Sequence, residues 1–161
     1  MSIYRRGFVI VLAVMPVLYN AAPAAAAQGK ALTGLIAVDL LVERLAEDEA
    51  KCNITKDGLD ASVRLPVSAS PLRLDPNSTE TYIYLNVNAL LTSSNGCVAS
   101  VRLALIRWSS EFSESVTVWD KSLLMTGQSH DFGSRVRVSV EELTKDLISA
   151  WLKANPRKYS E

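Results

Sequence analysis

The chain has 161 residues, with 17 basic and 17 acidic side chains and one histidine, so its formal net charge at neutral pH is zero. This balance argues against nucleic-acid binding, which needs a concentrated cationic face to displace counterions from phosphates. It also gives no electrostatic reason for adsorption to an anionic membrane. The length and the globular composition indicate one domain that is large enough to bury a core of its own.

The first 27 residues have the pattern of a secretory signal peptide. Arg5 and Arg6 supply a basic start, an apolar run follows, and the small residues Ala25 and Ala27 suit a signal peptidase. We predict cleavage after Ala27, a single domain of residues 28–161, no later membrane-spanning segment, and a periplasmic or secreted location. The alternative is an uncleaved anchor, since about 20 mostly apolar residues can span a bilayer. No cysteine stands at the cleavage site to carry a lipid.

The two cysteines, Cys52 and Cys97, both lie in the part that is predicted to be exported. Outside the cytoplasm an even number of cysteines normally forms disulfides, and two cysteines allow one intramolecular pairing. We therefore predict a Cys52–Cys97 bond. A zinc site would need three or four nearby ligands, and His130 is the one histidine. No activating motif favours a cysteine–histidine nucleophile either, so we expect no metal and no cofactor.

The first half of the domain gives weaker signals. Residues 34–50 start apolar and become charged, which predicts a strand that runs into a short helical segment, although a single helix also fits the apolar part. Thr55 caps a predicted short helix with apolar residues four apart, and Pro66 is expected to end it. A brief edge strand is predicted at residues 72–74, followed by a turn at 75–79.

Three alternating segments predict an antiparallel meander. Residues 81–91 and 98–108 each carry apolar side chains on one parity, and residues 114–125 continue the pattern. The linker between the first two suits a three-residue loop with Gly96 in the left-handed conformation, because that register buries both apolar faces together. The same register pairs Tyr82 with Trp108 on the opposite face.

The C-terminal region predicts a long helix. Ser139 and Glu142 form a capping box, and apolar residues recur at helical spacing as far as Asn155. We expect this helix to cover the apolar face of the meander. Before it, residues 127–133 predict a loop and residues 135–138 a few strand residues.

The best candidate for a binding surface is aromatic. If Val116 and Val118 point to the core, four rings share the opposite face of the sheet. This predicted aromatic cluster consists of Tyr82, Tyr84, Trp108 and Trp119. Aromatic side chains with polar tips are enriched where proteins bind partners. The alternative is that a helix from residues 43–50 or 55–65 covers them, so that they only stabilise the sheet.

A catalytic site is a weaker hypothesis. His130 lies beside Asp131 in the predicted loop, but neighbours in sequence seldom orient as a base and its helper. Ser139 has no nucleophile motif around it, and no phosphate-binding loop is present. We therefore expect no enzyme. The alternatives are a small hydrolase or transferase that uses His130 with a carboxylate, and a secreted inhibitor that presents the loop at 127–133.

Together these patterns predict an exported α+β domain with one disulfide. Its sheet is expected to be an antiparallel meander of three clear strands, extended by one or two weaker strands, with the C-terminal helix packed on one face. The leading functional hypothesis is a non-catalytic module of the periplasm or cell envelope. It would bind a protein or an envelope component through its sheet.

Overall fold

The computed structural model describes residues 31–78, 80–111 and 113–156, and the predicted signal peptide at 1–27 lies outside these ranges. Within them, no helix is both long enough and apolar enough to cross a membrane. The elements follow in the order β1 (Ala37–Val42), α1 (Glu47–Lys51), α2 (Lys56–Ser68), β2 (Arg73–Leu74), β3 (Thr81–Leu91), β4 (Gly96–Ser109), β5 (Glu114–Gln128) and α3 (Ser129–Ala154).

The five strands form one mixed sheet in the order β2-β1-β3-β4-β5. β3, β4 and β5 make the predicted antiparallel meander, but β1 runs parallel to both β2 and β3. The prediction of a purely antiparallel meander was therefore wrong. The segment between β1 and β2 contains α1 and α2, and a crossover of that length returns the chain to the same end of the sheet, which makes the strands parallel. The predicted strand followed by a short helix is confirmed, as is the brief edge strand.

The helix α2 begins as predicted and ends later. The hydroxyl of Thr55 accepts a hydrogen bond from the Gly58 N–H at 3.2 Å and caps the helix. Pro66 does not end the helix, which continues to Ser68. Pro66 stands in the last turn, where its missing N–H removes a single bond, and that turn buries Val67 completely.

The hairpin between β3 and β4 keeps the predicted faces but not the predicted register. Tyr82 pairs with Ile106 instead of Trp108, so the register is displaced by two residues. The left-handed residue of the loop is Asn95, with φ of 58°, and not Gly96; asparagine tolerates this conformation better than most residues. Because the displacement is even, the apolar side chains of both strands still share one face.

The last helix begins ten residues before the predicted cap. β5 runs to Gln128 and α3 starts at Ser129, so the predicted loop at 127–133 and the predicted strand at 135–138 were both wrong. Ser139 lies inside α3 and does not cap it. The glycine, serine and charged residues of this stretch gave a local loop signal, which tertiary packing outweighed.

Burial explains the early start of α3. Phe132 and Val136 are completely buried and extend the apolar stripe of the helix by two turns. Between them Gly133 lies against the Asn53 carbonyl, so closely that a Cβ atom there would overlap the backbone. A glycine that looks like a loop signal in the sequence is therefore a packing requirement between α3 and the segment before α2.

The core lies between one face of the sheet and a layer formed by α2 and α3. The sheet contributes the apolar parity of β3 and β4, and the helices contribute buried residues at helical spacing. The largest of these side chains are Ile83, Leu85, Leu103, Leu105, Leu59, Val63, Phe132, Leu147 and Trp151. The predicted packing of the terminal helix on one face of the sheet is confirmed.

The predicted disulfide is also confirmed. Cys52 and Cys97 are bonded, with their Cα atoms 6.0 Å apart, and both side chains are buried. The bond joins the end of α1 to the beginning of β4, so it fixes α1 to the sheet near the β3–β4 hairpin.

A buried carboxylate takes the place of a strand beside β3. β1 ends at Val42, which leaves the far half of β3 without a partner on that side. There the side chain of Glu49, in α1, accepts a hydrogen bond from the Ala89 N–H at 2.8 Å. Its second oxygen has no partner among the described residues. The short helix α1 therefore satisfies a backbone donor that a longer β1 would otherwise bind.

We expect the Cys52→Ala/Cys97→Ala double variant to lose about 4 kcal/mol in the free energy of unfolding, because the bond closes a 45-residue separation in the unfolded chain. Guanidinium denaturation of the two proteins measures this difference. Thiol titration of the denatured wild type should find free thiols only after reduction. An unchanged denaturation midpoint would contradict the prediction.

Glu49→Ala should lower the free energy of unfolding by about 1–3 kcal/mol, since the buried Ala89 N–H loses its acceptor. The matched control is Glu47→Ala in the same helix, whose exposed side chain forms an ion pair with Lys51 at 2.9 Å; its effect should stay below about 0.5 kcal/mol. Urea denaturation compares the three proteins. Equal losses in the free energy of unfolding for both variants would show that the buried hydrogen bond stabilises the fold no more than the surface ion pair does.

Candidate functional site

One face of the sheet lies opposite the layer of α2 and α3. We call it the open face; it carries the alternate side chains of β3 from Tyr82 to Leu90, of β4 from Val98 to Trp108, and of β5 from Asp120 to Thr126. Within the described ranges neither α1 nor α2 covers it, so the predicted alternative of a helix over the aromatic residues was wrong.

Three of the four predicted aromatic residues lie together at one end of the open face. Tyr82 is opposite Ile106, and Trp108 is the next residue of β4 on this face, so the two rings are diagonal neighbours. Tyr84 follows Tyr82 on β3. Both tyrosines are half-buried, whereas 48% of Trp108 is exposed. The aromatic rings therefore present a surface to solvent, with the indole of Trp108 as its most accessible part.

Trp119 does not belong to this cluster. Leu105 pairs with Trp119, but the next residue of β4, Ile106, pairs with Thr117, so Val118 is an extra residue in β5. Such a β-bulge reverses the parity of the strand beyond it. Trp119 consequently shares the core face with Leu105 and is only 5% exposed. The aromatic cluster has three members instead of four.

A row of hydrogen bonds forms the polar middle of the open face. The Glu43 carboxylate, just after β1, accepts hydrogen bonds from the Tyr84 hydroxyl and from the Asn86 amide. The Asn88 amide in turn donates to the Asn86 carbonyl oxygen at 2.7 Å. The hydrogen bond from Tyr84 is the largest cause of a lowered pKa of Glu43, and the bond from Asn86 is the next. The same bond to Glu43 raises the pKa of Tyr84. The carboxylate is charged at neutral pH and is positioned by neutral donors.

An ion pair on β4 and β5 follows the polar row, and exposed aliphatic side chains lie beyond the ion pair. Arg102 and Asp120 approach to 3.5 Å across β4 and β5. Beyond them Leu90 is 67% exposed and Leu124 is 74% exposed. The open face thus has an aromatic end, a polar middle and an aliphatic end.

The residues of the catalytic hypothesis are not assembled into a site. His130 is exposed in the first turn of α3 and makes no hydrogen bond to Asp131 or to any other described residue. Because 127–133 is not a loop, the surface that an inhibitor would present there does not exist in the predicted form. Within the described ranges, no three His, Cys, Asp or Glu side chains come close enough to hold a metal ion.

Sequence reasoning missed the contribution of Glu43 and of the aliphatic end. Glu43 reaches the open face because β1 pairs in parallel with β3, a pairing that the strand pattern did not indicate. Leu90 and Leu124 carried a usable signal, since each is a leucine on the polar parity of its strand.

No family model matches the chain, and no curated protein matches it. Twelve chains of solved structures are similar to it, and we name three of them. They are a minor lipoprotein from Acinetobacter baumannii (8% identity, 73% of this chain and 90% of that chain, TM-score 0.44), a dodecamer of a PelC variant from Paraburkholderia phytofirmans (15% identity, 69% and 87%, TM-score 0.45) and the rare lipoprotein B from Shewanella oneidensis (10% identity, 73% and 92%, TM-score 0.34). At these TM-scores the likeness carries no argument about this chain.

Tyr84→Phe is expected to raise the pKa of Glu43 toward its ordinary value, because the tyrosine hydroxyl is the largest cause of the lowering. The lowered pKa stabilises the folded protein above the unfolded-state pKa, and this contribution is lost as the pH falls through the folded-state value; on an exposed group it is small. NMR titration of the Glu43 carboxyl measures the pKa. Tyr82→Phe is the matched control, and an equal change in both variants would contradict the assignment.

Proposed function

We propose that this chain is an exported, non-catalytic module of the periplasm or cell envelope that binds a protein or an envelope component through the open face. The observation that carries the proposal is the composition of that face. An antiparallel sheet with one solvated face normally alternates apolar residues inside with polar residues outside. Here the outer face exposes Trp108, Leu90 and Leu124 beside its polar row.

Large exposed apolar side chains at both ends of one surface favour binding. Scattered single residues of this kind are ordinary, but contiguous patches are rare on monomeric proteins and mark interaction sites. Leu41 of β1 is also exposed and lies beside Tyr84, which enlarges the aromatic end. The aromatic end therefore offers ring surface, an aliphatic side chain and a phenol in one place.

The polar middle favours a partner that is not strongly acidic. Asp39, Glu43 and Asp120 place three carboxylates on the open face or at its margin, and Arg102 is the one basic residue in the rows between them. The Glu43 carboxylate accepts hydrogen bonds from the neutral side chains of Tyr84 and Asn86, whereas Arg102 forms its ion pair with Asp120. A partner with apolar groups at both ends and hydrogen-bond donors or a positive charge between them fits this pattern.

The disulfide supports the exported location. Disulfides form and persist in oxidising compartments and are rare in the cytosol, where thiols are kept reduced. The buried Cys52–Cys97 bond agrees with the signal-peptide pattern of the first 27 residues. Export also places the open face where envelope components are available.

Trp108→Ala should change the free energy of unfolding by less than about 1 kcal/mol, because much of the indole is already exposed. Trp151→Ala is the contrasting variant; its ring is buried and its Nε1–H donates to the Leu35 carbonyl at 2.9 Å, so the loss should be about 3–5 kcal/mol. Urea denaturation provides both values. A large loss for Trp108→Ala would assign the ring to the core and remove the main support for the proposal.

Binding is tested with a photo-reactive amino acid placed in the full-length protein in its own cells. We expect a discrete cross-linked product when it replaces Trp108 and none when it replaces Leu152, an exposed apolar residue of α3. Leu41→Arg, which adds bulk and charge beside the aromatic end, should abolish the Trp108 product. Equal products from both positions would contradict binding through the open face.

A further inference from the structure

The last strand of the sheet has a long edge with no partner. β5, Glu114–Gln128, pairs with β4 on one side, and no backbone hydrogen bond joins its other side to any part of the chain that the structure describes. A free edge of this kind presents a row of N–H and C=O groups that another strand can bind.

The hydrogen-bond pattern of β4 shows which groups of β5 point outward. The Trp108 N–H donates to the Glu80 carbonyl, and the Thr92 N–H donates to the Gly96 carbonyl, so the even-numbered residues of β4 bond β3. Its odd-numbered residues therefore bond β5, and they pair there with odd-numbered residues. The even-numbered residues of β5 after the bulge direct their backbone groups away from the sheet. These residues are Asp120, Ser122, Leu124 and Thr126.

The two halves of this edge differ in their protection. The first half has the β-bulge at Val118 and the charged residues Asp120 and Lys121, which are devices that keep an edge from pairing. Lys121 is also bonded to Asp146 of α3 at 2.8 Å. The second half, residues 122–128, has no charge, no proline and no bulge. Only this half is open to a further strand.

A cleft runs beside the unprotected half on the side of α3. It has a volume of about 330 Å³ and lies between Met125 of β5 and the α3 residues Ser134, Arg135, Val138 and Ser139. Side chains of an added strand alternate between two faces, so every second one would point toward this cleft and the others toward the open face. The edge therefore offers backbone groups and a pocket for side chains together.

We propose that β5 pairs antiparallel with β5 of a second copy of this chain, about a two-fold axis at Leu124. In this register Leu124 lies opposite Leu124 of the second copy, and Ser122 lies opposite Thr126 on either side of the axis. All of these residues have outward-directed backbone groups, so each pair forms hydrogen bonds. Leu124 is 74% exposed, and the Leu124 side chains of the two copies then cover each other across the axis.

The same register is complementary on the other face of the edge. Leu123 lies opposite Met125 of the second copy, so the half-buried apolar side chain of one chain packs beside the cleft of the other. Charge excludes the registers that are centred on Asp120 or on Lys121. An axis at Asp120 or at Lys121 would place each of these charges directly against itself, which is destabilising. The axis at Leu124 places no charge against a like charge.

The dimer would enlarge the binding surface. A two-fold axis perpendicular to the sheet at β5 joins the two sheets into one and keeps both open faces on the same side. A partner with repeated binding groups could then contact both copies at once, which strengthens binding without new contacts within one copy.

The test is the oligomeric state of the unreduced full-length protein, measured by sedimentation equilibrium over roughly micromolar to sub-millimolar concentrations. We expect a wild-type dimer, and a dissociation constant raised roughly tenfold or more in Leu124→Lys and in Leu124→Glu, through like charges at the axis. An equimolar mixture of the two variants should dimerise again. Leu90→Lys, on the same face but away from the edge, should dimerise as the wild type does. A wild-type monomer throughout this range would overturn the proposal.

Hydrogen exchange of the outward-directed amides separates edge pairing from stacking of two open faces. In wild type at high concentration, the amides of Ser122, Leu124 and Thr126 should exchange at least roughly tenfold more slowly than in Leu124→Lys. Circular dichroism should show the same fold in both, since this side chain is exposed. Dimerisation without protection of these amides, or failure of the mixed variants to pair, would overturn the proposed arrangement.

Discussion

The burial of one side of β3 and β4 under α2 and α3 determines which side chains remain for function. Ile83, Leu85 and Leu103 are completely buried between the sheet and the helices. Because side chains alternate along a strand, this burial forces Tyr84 and Arg102 onto the opposite face whatever their own preferences. The disulfide and the Glu49 hydrogen bond then hold α1 at the hairpin end of the sheet. The open face is therefore a consequence of the core.

A local irregularity, the β-bulge at Val118, divides the sheet into regions with different surroundings. The bulge at Val118 turns Trp119 into the core, where it closes the layer beside Leu105. The same bulge twists the first half of the β5 edge and, with Asp120, discourages pairing there. Beyond it the strand is regular and uncharged. One inserted residue thus separates an aromatic surface, a buried tryptophan and an edge that can accept a strand.

The sequence predicted features that depend on short-range pattern or on chemistry, and it failed where distant elements decide. The alternation of β3, the pairing of Cys52 with Cys97 and the apolar spacing late in α3 are visible locally. The parallel pairing of β1 depends on where a crossover places the chain, and the early start of α3 depends on Gly133 fitting against Asn53. Of the site, the rings of Tyr82, Tyr84 and Trp108 were predictable, whereas the face of Trp119 depended on a bulge.

The protonation chemistry of the polar row supports binding over catalysis. General acid–base catalysis is most efficient when the pKa of the group lies near the working pH. Here mutual hydrogen bonding lowers the pKa of Glu43 and raises that of Tyr84, so both move away from neutrality. At neutral pH the first stays a charged acceptor and the second a neutral donor. Such a pair exchanges protons poorly, but it keeps a fixed pattern of charge and hydrogen bonding beside the rings, and recognition of a partner requires that constancy.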